Sequence, residues 1–455
     1  MGLDIGIEAL TYLMFGSLIF FLLLGLPLAF VTGGLGVVFI FLCGNLQMVN
    51  MLPSRIFPFM TDYQLSAIPL FIFMANVLER AGMIEELFDV IYKIMGGLRG
   101  GLASAAVVAS TIMAAMVGVI GASEVTMGII ALPAMLKRGY DQNLACGSIL
   151  AGGTLGILIP PSILAILFAV IAQQSVGELF LGAVLPGLAL SGMYVIYITI
   201  RCYVNPQLGP ALPKEERITF REKLRLLQGI IAPILLIILV LGVIFTGVAT
   251  PVEAAGIGTF GALVVCALAR KLTIQNIRQA ALTTLRASTM VLWIMFGASI
   301  FVGFYILNGG QEFVVKTMMG TGLGPYGILL ITNVLLIILG MFLDWVGILL
   351  LAVPIFVPMM VSMSWGGLWG MPGVNPADVQ LWFGVVYMVN MQMSFLSPPF
   401  GYALYYLKSV APPSVTMGTI FKSSVPFMAL QAVGLFLTIA FPWLCIWLPR
   451  AVYGH

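Results

Sequence analysis

Two long apolar runs in this chain each contain a pair of adjacent prolines: GTLGILIPPS at 153–162 and MSFLSPPFG at 393–401. Small and hydroxylated residues flank both pairs. Proline has no backbone N–H, so it strips an earlier carbonyl of its helical donor. Inside an apolar medium such a break is tolerated only where protein, water or an ion satisfies the freed groups.

Composition identifies the medium. The 455 residues are 61% hydrophobic and 8% charged, with a mean hydropathy of +1.12; soluble domains carry roughly 25% charged residues. Apolar runs of ~20 residues recur, as membrane-spanning helices require, whereas a transmembrane barrel would show ~10-residue alternating segments. The chain therefore reads as an all-α polytopic membrane protein. A net charge of +3 points to no nucleic-acid partner. Cys43, Cys146, Cys202, Cys266 and Cys445 fall singly, without a CxxC, and read as small buried hydrophobes. The opening MGLDIGIEAL has two acids and no base, unlike the basic start of a signal peptide, so the first apolar run is expected to be a retained span.

About ten spans are expected, near 9–25, 27–44, 66–80, 140–174, 178–204, 229–248, 252–270, 288–307, 382–411 and 426–448. With the N-terminus outside, all but Arg55, Lys316 and Arg450 of the 20 Lys and Arg fall inside. The positive-inside rule selects that orientation, which puts both termini outside, with lipid around the chain. The stretch 214–229, KEERITFREKLRLLQG, reads as an inside surface helix with a solvated charged face.

Two apolar stretches are too long for one span and too short for two. The first, 100–137, has basic residues at both ends and reads as a re-entrant helical hairpin with its tip near Gly118–Ser123. The second, 325–362, lies in a region without Lys or Arg from 317 to 407 and reads as a hairpin from the outside, its tip near Asp344. A repeat follows. Residues 66–174 form one unit: span, short helix (85–97), hairpin, then a helix broken at 156–161. Residues 288–411 form another: span, short helix (311–321), hairpin, then a helix broken at 394–399. Residues 1–65 and 175–287 are expected to be scaffold and linker helices, the latter with a charged cytoplasmic segment at 205–228, and 412–455 a C-terminal helix. Three spans between the units force them into opposite orientations. Inverted repeats with broken helices mark transporters, with the site at the midplane. Packed kinks are the alternative reading of the prolines, and their recurrence behind a hairpin in both units argues against it. Carbonyl and hydroxyl oxygens at a tip and a break suit Na⁺, and helix N-termini suit a carboxylate.

Intramembrane carboxylates are costly and functional by default, which singles out Glu124 and Asp344 for ion or substrate gating; a wet cavity wall or a helix cap is the alternative. Asn390 and Gln392, ahead of the second break, are candidates for substrate contact or for helix–helix hydrogen bonding. Thr126 and Thr154 join the substrate or gating candidates. Glu253, behind Thr250 and Pro251, reads as part of a helix start. Trp365 and Trp369 read as an interfacial belt or a contact for a docking protein.

The segments IPLFIFMANVLERAG (68–82), LPAMLKRGYD (132–141), GTLGILIPPSI (153–163), TPVEAAGIG (250–258), FLDWVGILLLAVPIFVP (342–358) and SPPFGYAL (397–404) closely resemble the large membrane subunit of tripartite ATP-independent periplasmic (TRAP) transporters, over essentially the whole chain. The resemblance implies a Na⁺-driven elevator, a small four-helix membrane subunit as partner, and a periplasmic binding protein that delivers an organic acid. It implies one Na⁺ held by Gly118, Ser123, Gly156, Ile159 and Pro161, mostly through carbonyls. A second would lie between the tip near Asp344 and Ser394, Ser397 and Phe400. Many relatives carry a serine-rich SGSS at the first tip; here the chain reads VGVIGAS, so hydroxyl ligands are lost there, whereas backbone ligands need no side chain. The segments 362–380 and 390–407 resemble the branch labelled mannitol/chloroaromatic or 2-oxo-acid type.

An enzyme is not expected. The only histidine is His455, so no HExxH or histidine triad can form. No phosphate-cradling Walker motif occurs, and no cofactor is implied beyond Na⁺ as coupling ion. A self-sufficient Na⁺/carboxylate symporter of similar hairpin logic is the rival reading.

Overall fold

A computed structural model describes residues 5–43, 46–118, 120–213, 220–368 and 372–454. Lys214, Arg217, Trp369 and His455, which figure in the readings above, lie outside the described residues. Twenty α-helices follow one another: α1 (Ile7–Leu23), α2 (Leu28–Cys43), α3 (Met51–Thr61), α4 (Ala67–Arg80), α5 (Met83–Met95), α6 (Gly101–Val117), α7 (Ile120–Lys137), α8 (Gln142–Thr154), α9 (Ile163–Ala172), α10 (Val176–Val204), α11 (Phe220–Phe245), α12 (Pro251–Leu268), α13 (Ile274–Leu307), α14 (Gly310–Met319), α15 (Pro325–Gly340), α16 (Trp345–Val361), α17 (Val379–Leu396), α18 (Tyr402–Val410), α19 (Met417–Ala440) and α20 (Trp443–Tyr453). Among the described residues there is no β-strand, only an isolated bridge between Trp365 and Val374. The fold is that of an all-α polytopic membrane protein; six described helices are each long and apolar enough to cross a membrane.

Side-chain caps start many of these helices by satisfying free N–H groups. Asp141, Ser162, Ser175, Thr273, Asp344 and Thr416 each accept from a backbone N–H in the first turn. Thr250 and Glu253 form a full capping box at α12. At the base of the first hairpin, Tyr140 accepts from Leu102 N (3.1 Å).

The helices form two bodies that share extensive contacts, α4 and α5 packing on α6 and α13 on α16. In the first, α2 and α4 pack on α13, α4 also packs on α12, and α11 packs on α12 and α5. The α2–α13 crossing is close because both sides are glycine: a Cβ on Gly297 would lie 2.3 Å from Ala29 O. The second body holds the hairpins α6–α7 and α15–α16, the broken helices α8/α9 and α17/α18, and α10, α19 and α20.

Several boundaries differ from the sequence reading. The span expected at 288–307 is the C-terminal part of α13, whose 34 residues extend about 51 Å at 1.5 Å per residue. Its first turns carry Arg278 and Arg286, which hid them from an apolar-run reading. The segments before and after Asp62 likewise form a pair bent by 57°, with Asp62 accepting from Gln64 N at the bend; α3 was not anticipated because Pro53, Arg55 and Pro58 interrupt its apolar pattern. The described part of the charged segment, from Phe220, is no separate surface helix. It forms the first turns of α11, and Lys223 donates to Ile94 O of α5 (2.9 Å). Helix α10, in the stretch assigned to scaffold, packs on α6, α17, α19 and α20. The expected span 426–448 is divided by Phe441–Pro442, so 412–455 contains two helices. Trp365 is no interfacial belt residue: it is buried, donates to Met360 O and meets the Trp382 and Tyr326 rings edge-on.

Candidate functional site: two hairpin tips against two proline breaks

The first tip lies directly on the first break. Gly118 sits between α6 and α7 at φ +64°, and a Cβ there would come within 2.6 Å of Pro161 O. Helix α8 ends at Thr154, a short 3₁₀ turn covers Leu155–Ile157, and α9 restarts after Ser162. Pro160 and Pro161 have no N–H to give Gly156 O and Ile157 O. The Ser162 hydroxyl takes over at Ile157 O (2.6 Å) while accepting from Ala165 N (3.3 Å). Sequence reasoning had passed over Ser162, although its place just ahead of an apolar run is a capping signal. Gly156, Ile159, Pro161 and Ser123 are all buried around this point.

The second junction repeats the plan with side chains in place of bare backbone. Asp344 caps α16 through Oδ1, which accepts from Gly347 N at 3.0 Å, while Oδ2 is buried without a hydrogen-bond partner. The Phe342 ring of this tip lies 5.7 Å from Phe400 of the break. Gly340 packs on Ser394, where a Cβ would meet Ser394 Oγ at 2.7 Å. Ser394 Oγ faces Leu336 O (3.3 Å), and Ser397 Oγ donates to Met393 O (2.8 Å). Gly156 and Ser394 stand at the same offset from their proline pairs, so each loses its usual helical donor; Ser394 O accepts from Ser397 N instead (3.3 Å). Asn390 donates to Asn333 of α15, at Oδ1 (2.7 Å) and O (3.1 Å). That is the helix–helix role; Asn333 itself had not been singled out.

The two units exchange their half-helices. Hairpin α6–α7 packs on α8 of its own unit and α18 of the other; hairpin α15–α16 packs on α17 and on α9. Each break is thus enclosed by its own hairpin, with the other unit's half-helix alongside. The remaining candidates line this arrangement. Glu124 is fully buried with neither oxygen hydrogen-bonded, and it fits only because Gly153 faces it: a Cβ there would be 2.1 Å from Glu124 Cγ. Thr126 donates to Glu79 of α4 (3.4 Å), joining the first hairpin to the first body. Thr154 faces Gln392 (3.5 Å) and receives a hydrogen bond from Gln431 Nε2 of α19 (3.2 Å). Between the bodies, a cavity of about 220 Å³ is lined by Arg55, Ser299 and Gly303 on one side and by Ile171, Leu350 and Pro354 on the other. Gln431 and Arg55 carried no motif. Their signal was a polar residue within an apolar neighbourhood.

Chemically, both junctions offer carbonyl and hydroxyl oxygens, the first in a buried setting and the second partly open, with Pro399 and Phe400 exposed. Such hard, oxygen-only sets suit alkali or alkaline-earth cations and lack the thiolate and imidazole of transition-metal sites.

Residues 15–444 match the family described as the tripartite ATP-independent periplasmic transporter, DctM component. The chain is similar to the C4-dicarboxylate TRAP transporter large permease protein DctM of Vibrio cholerae, at 27% identity over 97% of this chain and 98% of that one. Its similarity to the protein of the same description from Pseudomonas aeruginosa is 30% identity over 88% and 90%. Among solved structures, the Alcanivorax borkumensis YdaH transporter shares the fold with a TM-score of 0.64 at 15% identity, covering 95% of this chain and 99% of that chain.

Proposed function

This chain belongs to the DctM component family of tripartite ATP-independent periplasmic transporters, and from that premise we propose that it is the large permease subunit of a Na⁺-coupled system for uptake of an organic acid. It works with a small four-helix membrane subunit and a periplasmic binding protein, in the bacterial inner membrane with both termini periplasmic. The observation that supports the coupling-ion reading is the paired geometry of tip and break, with the helical donor removed at the same offset in both units.

In the proposed cycle, Na⁺ at the first junction takes oxygens from Gly118, Ser123, Gly156, Ile159 and Pro161. At the second, Ser394, Ser397, Phe400 and the Asp344 loop serve. Each ion holds a hairpin tip to a break, so the ends of α9 and α18 form a surface on which a carboxylate can rest. The second body, carrying both junctions, then slides against α2, α4 and α11–α13 as an elevator. Glu124, Thr126, Thr154, Asn390 and Gln392 shape the polar ground between the junctions.

The test is uptake into proteoliposomes holding the chain, its small subunit and a loaded binding protein. Uptake should require an inward Na⁺ gradient and proceed without ATP. Equal uptake with K⁺ replacing Na⁺ overturns the reading.

A further inference from the structure

Thr154 and Gln392 each stand six positions ahead of their proline pair, so they hold equivalent places in the two inverted units. Equivalent residues of two related units meet only near the axis that relates them. These two do meet, Thr154 Oγ1 lying 3.5 Å from Gln392 Oε1. Gln431 of α19 closes on the same hydroxyl, Nε2 donating at 3.2 Å. Tyr194 of α10, set edge-on against Phe427 (ring centroids 5.7 Å apart), brings its hydroxyl beside Gln431 and Thr154. Thr154, Tyr194, Gln392 and Gln431 are all fully buried.

The cluster is poor glue. Gln392 Nε2 and Gln431 Oε1 have no hydrogen-bond partner, and a buried polar atom left unpaired is destabilising where an apolar group of the same shape is not. Apolar side chains would hold α8, α17 and α19 together at lower cost. An unpaired donor on Gln392 and an unpaired acceptor on Gln431 both border Thr154. Turning either amide changes which of them is satisfied. The network therefore has more than one hydrogen-bonded arrangement, and its members α8 and α17 run directly into the two breaks.

We propose that this axial cluster couples the two proline breaks, with Gln431 as the positioning residue, so that an ion at one junction favours an ion at the other. The coupling rests on the two-ion reading above. Filling the first junction fixes the end of α8, Thr154 settles into one arrangement, and Gln392 passes that choice to α17. Reciprocity follows, because a coupling free energy between two sites acts equally in both directions.

The experiment uses the purified full chain in lipid nanodiscs and Na⁺ alone as probe, with K⁺ replacing it at constant ionic strength. The thermal unfolding midpoint is followed against Na⁺ concentration and fitted for a Hill coefficient, which two coupled sites can raise towards about 2. Wild type should lie well above 1. Gln431→Leu and Thr154→Val should fall to about 1, and Thr154→Ser, which keeps the hydroxyl, should retain the wild-type coefficient. A purely structural role would move the midpoint in K⁺ and leave the coefficient alone. If Gln431→Leu fails to fold, the Thr154 pair decides. A wild type that Na⁺ does not stabilise overturns the Na⁺ reading itself. A Na⁺-stabilised wild type with a coefficient of 1, or Thr154→Val with an unchanged one, overturns the coupling only.

Discussion

Gly118→Ala is the most informative substitution the structure offers. Gly118 combines a left-handed φ of +64° with a backbone neighbour: the added Cβ would lie 2.6 Å from Pro161 O. A carbon and a carbonyl oxygen need about 3.3 Å, so the tip and the break must separate by about 0.7 Å. The backbone term is about 1–2 kcal/mol, and overpacking typically adds about 1–3 kcal/mol. Displacing a carbonyl from a cation forfeits an interaction of about 1.5–3 kcal/mol, which is roughly a tenfold to hundredfold rise in the Na⁺ needed for half-maximal uptake. Gly139 supplies the control. Its φ is +77° and nothing lies within 4 Å of a Cβ built there, so Gly139→Ala carries the backbone term of about 1–2 kcal/mol and no collision. Uptake by the reconstituted system is measured against Na⁺ for both variants at matched protein level, together with thermal unfolding. Overlapping Na⁺ curves for Gly118→Ala and Gly139→Ala would refute the first ion site.

Ser397→Ala should raise the Na⁺ requirement about tenfold, a loss of ~1.4 kcal/mol, with Ser414→Ala unchanged; if both match wild type in a Na⁺ titration of uptake, Ser397 serves packing alone. Thr250→Ala removes the capping box at α12 and should lower stability by about 0.5–2 kcal/mol without altering Na⁺ dependence. A shifted Na⁺ curve for Thr250→Ala would tie the first body to ion binding. The chain reconstituted without its small subunit and binding protein should transport free substrate poorly; robust uptake by the isolated chain would instead support a self-sufficient symporter.

What the sequence disclosed followed from how local each cause is. A proline pair in an apolar run acts on the backbone within one helical turn, so both breaks were legible at Pro160 and Pro398. The hairpins were legible because flanking charge and length constrain a membrane segment without reference to its partners. The bend at Asp62 and the N-terminal extension of α13 were hidden, since polar side chains there break the apolar pattern that a span presents. That α10 joins the hairpin body was equally hidden: a span's apolar composition is the same whichever helices it packs on. The axial cluster needed three dimensions. Thr154, Gln392 and Gln431 are far apart in the chain, and only the packing of α8, α17 and α19 brings them to one point. Thr154 and Gln392 drew attention through their place ahead of the breaks, whereas Gln431 and Tyr194 had no such marker.

The central claim is that each tip-and-break junction holds a Na⁺. The most direct measurement is a pair of structures of the chain with its small subunit, determined at matched resolution in Na⁺ and in K⁺. The account predicts added density in Na⁺ at both places: between Gly118 and Pro161, and between the Asp344 loop and Ser397. Identical density in both salts at the two junctions would contradict it.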